Sequence, residues 1–150
     1  HAFSLNREGA ALERTGKDLS EDARKELILF LGAVEEIGTL TCAAYGGESV
    51  QSAEAIEPLR VVIDQMRETL MARHIARLRR GVCDVENSGV WTSILTDGTR
   101  VAAHCSNLAL LALQEKKKNA LPHGYMQTVR FENPEGFMRQ YAAFHEKYRV

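Results

Sequence analysis

Hydrophobic residues recur at steps of three and four along most of the chain, which is the spacing of one face of an α-helix. The first such stripe begins after Ser20, an N-cap residue that is followed by Glu21 and Asp22 in the first turn. The stripe ends at the glycine pair of positions 46 and 47. The pattern predicts a helix whose buried face consists of Leu27, Phe30, Leu31, Val34, Ile37, Thr41, Ala44 and Tyr45.

A second and a third stripe follow, separated by a short polar turn around Gly81. Pro58 lies near the start of the second stripe, which opens close to Ser49 or Ser52. This proline either kinks the helix or is its first residue, and the kink is the preferred interpretation. The predicted buried positions of the second helix are Ile56, Leu59, Ile63, Met66, Leu70, His74 and Leu78, with a drift towards Met71, Ile75 and Val82. The third helix restarts near residues 87–89, and its predicted buried positions are Trp91, Ile94, Gly98, Val101, Cys105, Leu108 and Ala112.

A short last helix completes the pattern. Asn133, Pro134 and Glu135 combine a cap, a proline at the first helical position and an acid in the first turn. The aromatic stripe that follows is expected to dock on the other helices, and it consists of Phe137, Tyr141, Phe144 and Tyr148. Residues 119–132, which contain a proline and a glycine, predict a surface loop before this helix.

The predicted fold is an all-α, antiparallel bundle of three long helices, because no stretch alternates polar and apolar residues with a period of two. One domain is expected over residues 1–150. Within it, residues 1–16 form the end of a preceding helix and residues 20–118 form a three-helix repeat. Residues 119–150 form the loop and the terminal helix.

Composition narrows the classes of protein. Hydrophobic residues make up 45% of the chain and charged residues 26%, which is typical of a folded domain. The formal net charge of −1 weighs against binding to nucleic acid. Three widely spaced cysteines favour a reducing compartment over a disulfide framework. The longest apolar run, Leu27 to Val34, is far shorter than the roughly 20 residues that cross a bilayer.

Two histidines on facing helices are candidates for chemistry. His74 and His104, with a carboxylate from Asp64 or Asp97, would supply ligands of the kind that zinc and other metals take in proteins. The preferred interpretation is that each histidine is buried and bonds a backbone carbonyl or a neighbouring side chain.

A basic cluster lies at the end of the second helix and consists of Arg73, Arg77, Arg79 and Arg80. It could hold a phosphate group or an acidic partner. The preferred interpretation is a solvated face that complements the helix dipole. The sequence contains neither a P-loop motif nor a recognisable serine–histidine–aspartate arrangement, and nothing in it points to catalysis.

Three stretches of the chain carry a family resemblance. IEPLRVVIDQM, RHIARLRRGVC and ILTDGTRVAAHCSNLA resemble the PhoU-like cytoplasmic domain at the C-terminus of bacterial sodium/phosphate cotransporters. LSEDARKEL and AVEEI are similar to the preceding helix of that family. The ending with Phe137, Tyr141, Lys147 and Tyr148 is similar to its tail, and HAFSLN resembles the residues just after the acidic motif of the first repeat.

The resemblance implies a PhoU-like, spectrin-like bundle that comprises the second three-helix repeat and the last part of the first. It implies a non-catalytic regulatory or interaction domain of a sodium-dependent phosphate transporter, at the cytoplasmic face of the bacterial inner membrane. The implied partners are the membrane-spanning part of the same polypeptide, a protein of phosphate signalling, or a second copy in a homodimer. Two alternatives remain open: a free-standing PhoU-like regulator of phosphate-uptake signalling, and a metal-binding helical bundle.

The resemblance also implies where metal ions would bind. Each repeat of the family carries Glu-x-x-x-Asp motifs on two helices, and this spacing places both carboxylates on one helix face, where they bind iron or other divalent ions. The matching positions here are Arg60 with Asp64, and Thr99 with Ala103. Three of the four acids are therefore replaced, and we expect no bound cofactor. Asp97 and His104 lie nearby, and a less favoured alternative is an anion site with Arg60, Thr99 and Arg100 as donors.

Overall fold

A computed structural model describes residues 19–46, 50–83, 85, 88–116 and 133–150 of the chain. The predicted helix tail at residues 1–16, the whole predicted loop at 119–132 and the predicted burial of Ala112 lie outside the described residues and side chains. Four helices occupy the described part: α1 (Glu21–Tyr45), α2 (Val50–Arg79), α3 (Ser88–Lys116) and α4 (Pro134–Lys147). The predicted all-α fold with three long helices and a short last one is confirmed.

The three long helices run up, down and up. Glu26 near the start of α1 bonds Arg77 near the end of α2, and His74 near the end of α2 contacts Ser88 at the start of α3. Both helix pairs are therefore antiparallel, and α1 and α3 run in the same direction. The fully or nearly fully buried core between them includes Ala23, Phe30, Ala33, Ile37, Ile56, Leu59, Ile63, Leu70, Trp91, Leu95 and Ala102.

The caps that set the helix ends are those that the sequence indicates. The Ser20 side chain accepts a hydrogen bond from the Ala23 amide at 3.3 Å, and the Asn133 side chain accepts one from the Gly136 amide at 2.9 Å. At the end of α2, Gly81 adopts φ +67° and Val82 donates its amide proton to the Arg77 carbonyl at 3.1 Å. This left-handed closure is the Schellman motif, and glycine adopts it without steric cost.

Helix α2 runs without interruption through Pro58, which is buried inside it. The alternative that Pro58 is the first helical residue is therefore wrong, because Pro58 lies inside the helix. The kink that the preferred interpretation expects at Pro58 stays a prediction. Pro58 lies eight residues after Val50 and has no N–H to donate to the carbonyl four residues earlier. Pro58 and its neighbours Glu57 and Leu59 are buried, so packing supports the helix where this hydrogen bond is missing.

Several residues at the margins of the predicted stripes are exposed instead of buried. The prediction was wrong for Leu31, Tyr45, Ile75, Val82 and Leu108, of which Tyr45 is the most exposed at 65%. Leu31, Tyr45, Ile75 and Leu108 each lie about 100° around the helix from a buried neighbour, so a sequence stripe that is slightly too wide includes them. Val82 is exposed because it lies past the end of α2.

Helices α1 and α3 approach each other closely where Gly98 on α3 faces Phe30 on α1. A Cβ atom built on Gly98 would lie 2.5 Å from Phe30 Cε1 and 3.3 Å from Val34 Cγ2. Since any side chain at position 98 would overlap the Phe30 ring, the glycine lets the two helices pack at this distance.

Helix α4 docks on α1 and α2 through its aromatic stripe, as predicted. The Tyr148 hydroxyl donates to Glu36 Oε2 at 2.6 Å, and Lys147 Nζ donates to Glu36 Oε1 at 2.8 Å. The Tyr141 hydroxyl donates to Gln65 Oε1 on α2 at 2.8 Å. Burial, together with the bond to Glu36, raises the pKa of Tyr148 to about 12.

By length and composition alone, α1 would be long and apolar enough to cross a membrane, although its longest unbroken apolar run is short. Core helices of soluble proteins pass the same test. In this structure the apolar face of α1 packs on α2 and α3.

Candidate functional site

The α2 half of the predicted site forms a cluster of charges that spans two helices. This carboxylate cluster consists of Glu57, Arg60, Asp64 and Ser106. Arg60 donates through Nη2 to Glu57 Oε1 at 2.9 Å and through Nη1 to Asp64 Oδ2 at 2.5 Å. Ser106 on α3 donates its hydroxyl proton to Glu57 Oε2 at 2.8 Å. Glu57 is only 1% exposed, so these bonds compensate the loss of its water shell.

The charge balance of the carboxylate cluster is negative, because two carboxylates surround one guanidinium. The hydrogen bond to Glu57 raises the pKa of Arg60, so this guanidinium stays protonated. Burial raises the pKa of Asp64, and Arg60 beside it counteracts only part of that effect. An anion that approached Arg60 would meet both carboxylates.

The α3 half of the predicted site is arranged along its own helix. The Thr99 hydroxyl donates to the Leu95 carbonyl at 2.8 Å, and Arg100 Nη1 lies 3.8 Å from Asp97 Oδ1. Arg100 is exposed, as is Ala103. The anion site with Arg60, Thr99 and Arg100 as donors stays a prediction, and the carboxylates that hold Arg60 weigh against it.

The residues present do not fit the family's metal site. Asp64 already accepts a charge-assisted hydrogen bond from Arg60, and the matching positions Thr99 and Ala103 carry no carboxylate. Within the described ranges, no three histidine, cysteine, aspartate or glutamate side chains are grouped to hold a metal ion.

The two candidate histidines lie far apart. His74 contacts Ser88, whereas His104 lies 16 residues further along α3, which corresponds to about 24 Å at 1.5 Å per residue. The hypothesis that both ligate one metal ion is therefore wrong. The preferred alternative is correct for His74, which is 2% exposed and bonds neighbouring side chains, but wrong for His104, which is exposed.

His74 belongs to a second polar group at the joint between α2 and α3. This histidine cluster consists of Glu26, His74, Arg77, Cys83, Ser88 and Trp91. The His74 and Trp91 rings stack with centroids 5.4 Å apart and an interplanar angle of 20°. The Arg77 guanidinium lies 5.3 Å from the centre of the Trp91 ring, a cation–π contact.

The basic cluster at the end of α2 is only partly a solvated face. Arg79 and Arg80 are exposed, but Arg77 is 6% exposed and donates through Nη1 to Glu26 Oε2 at 2.7 Å. Arg73 donates to the other oxygen of Glu26 at 2.9 Å. The preferred interpretation of the cluster as a solvated face is therefore wrong for Arg77, whose guanidinium is buried and forms an ion pair with the buried Glu26 on α1.

The buried acids Glu26 and Glu57, and Ser106 as the partner of Glu57, were not predicted from the sequence. A signal was present in the spacing. Glu26 follows Ala23 by three residues and precedes Phe30 by four, so it lies in phase with the buried stripe of α1. A polar residue in phase with an apolar stripe indicates a buried, paired group.

Comparisons with known proteins identify no relative. No protein-family model, no curated protein and no solved structure matches the chain.

Proposed function

We propose that the chain is a non-catalytic regulatory or interaction domain of a sodium-dependent phosphate transporter, located at the cytoplasmic face of the bacterial inner membrane. One observation carries the proposal. The three sequence stretches that resemble the PhoU-like domain of such transporters contribute polar side chains to the contacts between α2 and α3, although Ser88 lies outside them. Ser106 bonds Glu57, and the His74 ring bonds Ser88 and Cys83.

The pairing of the buried carboxylates with arginines supports a role in binding rather than in catalysis. Glu26 and Glu57, the acids that are buried within the described residues, are each held by arginine side chains of the same chain. Because these carboxylates are paired with guanidiniums of the same bundle, we interpret them as structural rather than catalytic groups.

The outer surface supports contact with a partner. Large apolar side chains are exposed on α1 at Ile28, Leu31 and Tyr45, and on α3 at Leu108 and Leu111. Since α1 and α3 run in the same direction, Tyr45 and Leu111 lie at the same end of the bundle. Exposed apolar side chains mark a binding surface where they lie together, and the partner that we propose for this end of the bundle is the membrane-spanning part of the same polypeptide.

The first test is the gene that encodes the chain. We expect it to encode several hydrophobic spans of about 20 residues ahead of this domain. A gene that encodes only an additional helical repeat would favour a free-standing regulator of phosphate-uptake signalling, and the transporter proposal would then fail.

The second test is sodium-dependent phosphate uptake by cells that express the whole parent protein. Leu108→Glu and Leu111→Glu alter side chains that are already exposed, so folding should persist while partner contact is lost. We expect the response of uptake to phosphate supply to change in these variants. The matched control is Thr69→Glu, which places the same charge on the exposed face of α2. Identical uptake in all three variants and the parent would contradict the proposed surface.

A further inference from the structure

The turn after α2 places a thiol against a histidine. Cys83 follows the Gly81 closure of α2 by two residues, and its Sγ lies 3.6 Å from His74 Nδ1. The cysteine is half-buried, so a small reagent can still reach it. The other two cysteines differ, because Cys42 is exposed on α1 and Cys105 is buried on α3.

A third group fixes the orientation of the histidine. His74 Nε2 lies 3.1 Å from Ser88 Oγ, and Trp91 stacks on one face of the ring. When Nε2 carries the ring proton and donates it to Ser88, Nδ1 presents its lone pair to the Cys83 thiol. A nucleophile within reach of a base, with the base held by a further residue, is the arrangement that activates cysteine.

The surroundings of His74 keep its ring in the neutral form, which can accept a proton. Burial, and then the charge of Arg77, lowers the pKa of His74, so the imidazole is neutral at pH 7 and able to accept a proton. Helix α1 contributes Glu26, which pairs with Arg77, and α3 contributes the neutral Ser88 and Trp91. Within the described part of the chain, Arg77 Nε and Nη2 are buried without a hydrogen-bond partner, so the guanidinium keeps unsatisfied positive potential in this cluster.

We propose that Cys83 is a site of reversible thiolation by a low-molecular-weight disulfide, with His74 as the base. The Cys83 thiol passes its proton to His74 Nδ1 as its sulfur attacks one sulfur of the disulfide. A new sulfur–sulfur bond forms, the original one breaks, and the second sulfur leaves as a thiolate that takes the proton back from His74. The products are a mixed disulfide on Cys83 and one free small thiol, so the exchange is balanced without a further oxidant.

The modification would act on the joint between two helices. A mixed disulfide removes the thiol from His74 and places a bulky group beside the ring stack with Trp91. Because the histidine cluster also contains the bond from Arg77 to Glu26, the change would reach all three long helices. This inference stands independently of the transporter proposal, since it rests on side-chain geometry alone.

The test measures the rate at which each cysteine forms a mixed disulfide with glutathione disulfide at pH 7, resolved by mass spectrometry of peptides. A thiol of ordinary pKa is only a few per cent ionised at this pH, so full activation could raise its rate by up to about thirtyfold. We expect Cys83 to react about tenfold faster than the exposed Cys42, and Cys105 to react most slowly. A rate for Cys83 that equals or falls below that of Cys42 would overturn the proposal without any variant.

Two variants separate activation from access. His74→Gln removes the base, and Ser88→Ala removes the group that orients it. Each should lower the Cys83 rate towards that of Cys42 and leave the Cys42 rate unchanged, with the fold checked by circular dichroism. Should His74→Gln fail to fold, Ser88→Ala decides. An undiminished Cys83 rate in the folded variants overturns the role of His74.

A pH series gives a readout that mere packing would not produce. When His74 takes a proton from solvent, it can no longer accept one from Cys83. Because the pKa of His74 is lowered, the rate advantage of Cys83 over Cys42 should persist at the ordinary histidine pKa of about 6.5 and decline at lower pH. A ratio that stays constant across this range would contradict base assistance.

Discussion

Replacing Gly98 by alanine is expected to destabilise the protein, although the same replacement in an open stretch of helix is stabilising. The added methyl group would lie 2.5 Å from Phe30 Cε1 and 2.9 Å from Phe30 Cζ. Phe30 is fully buried between the helices, so its ring cannot rotate away without displacing Val34 and other core residues. In Gly98→Ala, the gain in helix propensity therefore opposes the cost of overpacking the core.

The magnitudes favour overpacking. Alanine is preferred to glycine inside a helix by about 1 kcal/mol. Extra methyl groups in a well-packed core cost about 1–3 kcal/mol, and the 2.5 Å approach at Gly98 indicates the upper half of that range. We therefore expect Gly98→Ala to lower the free energy of unfolding by roughly 1–2 kcal/mol after the gain in propensity is subtracted.

Gly38 provides the matched control on α1. A Cβ atom at this position meets nothing within 4 Å, so Gly38→Ala keeps the gain in helix propensity without the clash. It should raise the free energy of unfolding by about 0.5–1 kcal/mol. The opposite signs of the two variants, rather than either value alone, test the close approach of α1 and α3.

Urea unfolding followed by far-UV circular dichroism measures both variants, and the slopes should match the wild type if unfolding is two-state. Phe30→Leu in the Gly98→Ala background should recover part of the loss, because a smaller side chain makes room for the methyl group. The reasoning is refuted if Gly98→Ala stabilises the protein as much as Gly38→Ala does.

Two further predictions concern the polar contacts between helices. Ser106→Ala should cost about 1.5–2.5 kcal/mol in urea unfolding, because the buried Glu57 carboxylate loses a charged-group hydrogen bond; an unchanged midpoint would show that the bond contributes nothing. Tyr148→Phe should cost about 1 kcal/mol through the lost bond to Glu36, whereas Tyr45→Phe at an exposed position should cost about 0. The pKa of Tyr148 is raised from 10.0 to about 12, so its contribution is complete below pH 10 and is lost as the pH rises through 12. The stability difference between wild type and Tyr148→Phe, measured from pH 8 upward, should shrink over that interval, and a constant difference would contradict the assignment.

Local signals in the sequence were sufficient for the helix ends. Ser20 and Asn133 cap their helices by bonds to backbone amides three residues away, and such contacts depend only on the adjacent sequence. The all-α fold followed from apolar periodicity in the same way.

Contacts between helices could not be predicted to the same degree, because they depend on how one helix is rotated and shifted against another. The bond from Ser106 to Glu57 joins residues 49 positions apart, and the bond from Arg77 to Glu26 joins residues 51 apart. His104 shows the same limit at one position. His104 precedes the buried Cys105 by one residue, which is a rotation of about 100° around the helix. This rotation is enough to place His104 in solvent while Cys105 faces the core.

The candidate site was predictable in part. The family resemblance implies four acids, of which this chain has one, Asp64, and the structure adds that Asp64 is held by Arg60. The burial of Glu57 next to Arg60 and Asp64 could not be predicted without knowing how α3 is aligned with α2. Ser106 of α3 helps to bury the Glu57 carboxylate and donates a hydrogen bond to it.

The two polar contacts between α2 and α3 restrict how this domain can move. Glu57 and His74 are 17 residues apart on α2, from 57 to 74, and their partners Ser106 and Ser88 are 18 apart on α3, from 88 to 106. These separations correspond to about 26 and 27 Å of helix, so both contacts form in the same register. Sliding α3 past α2 by one turn would break both contacts at once and leave Glu57 buried without Ser106. The pair therefore resists sliding of α3 along α2, so the two helices are expected to move together as one rigid unit.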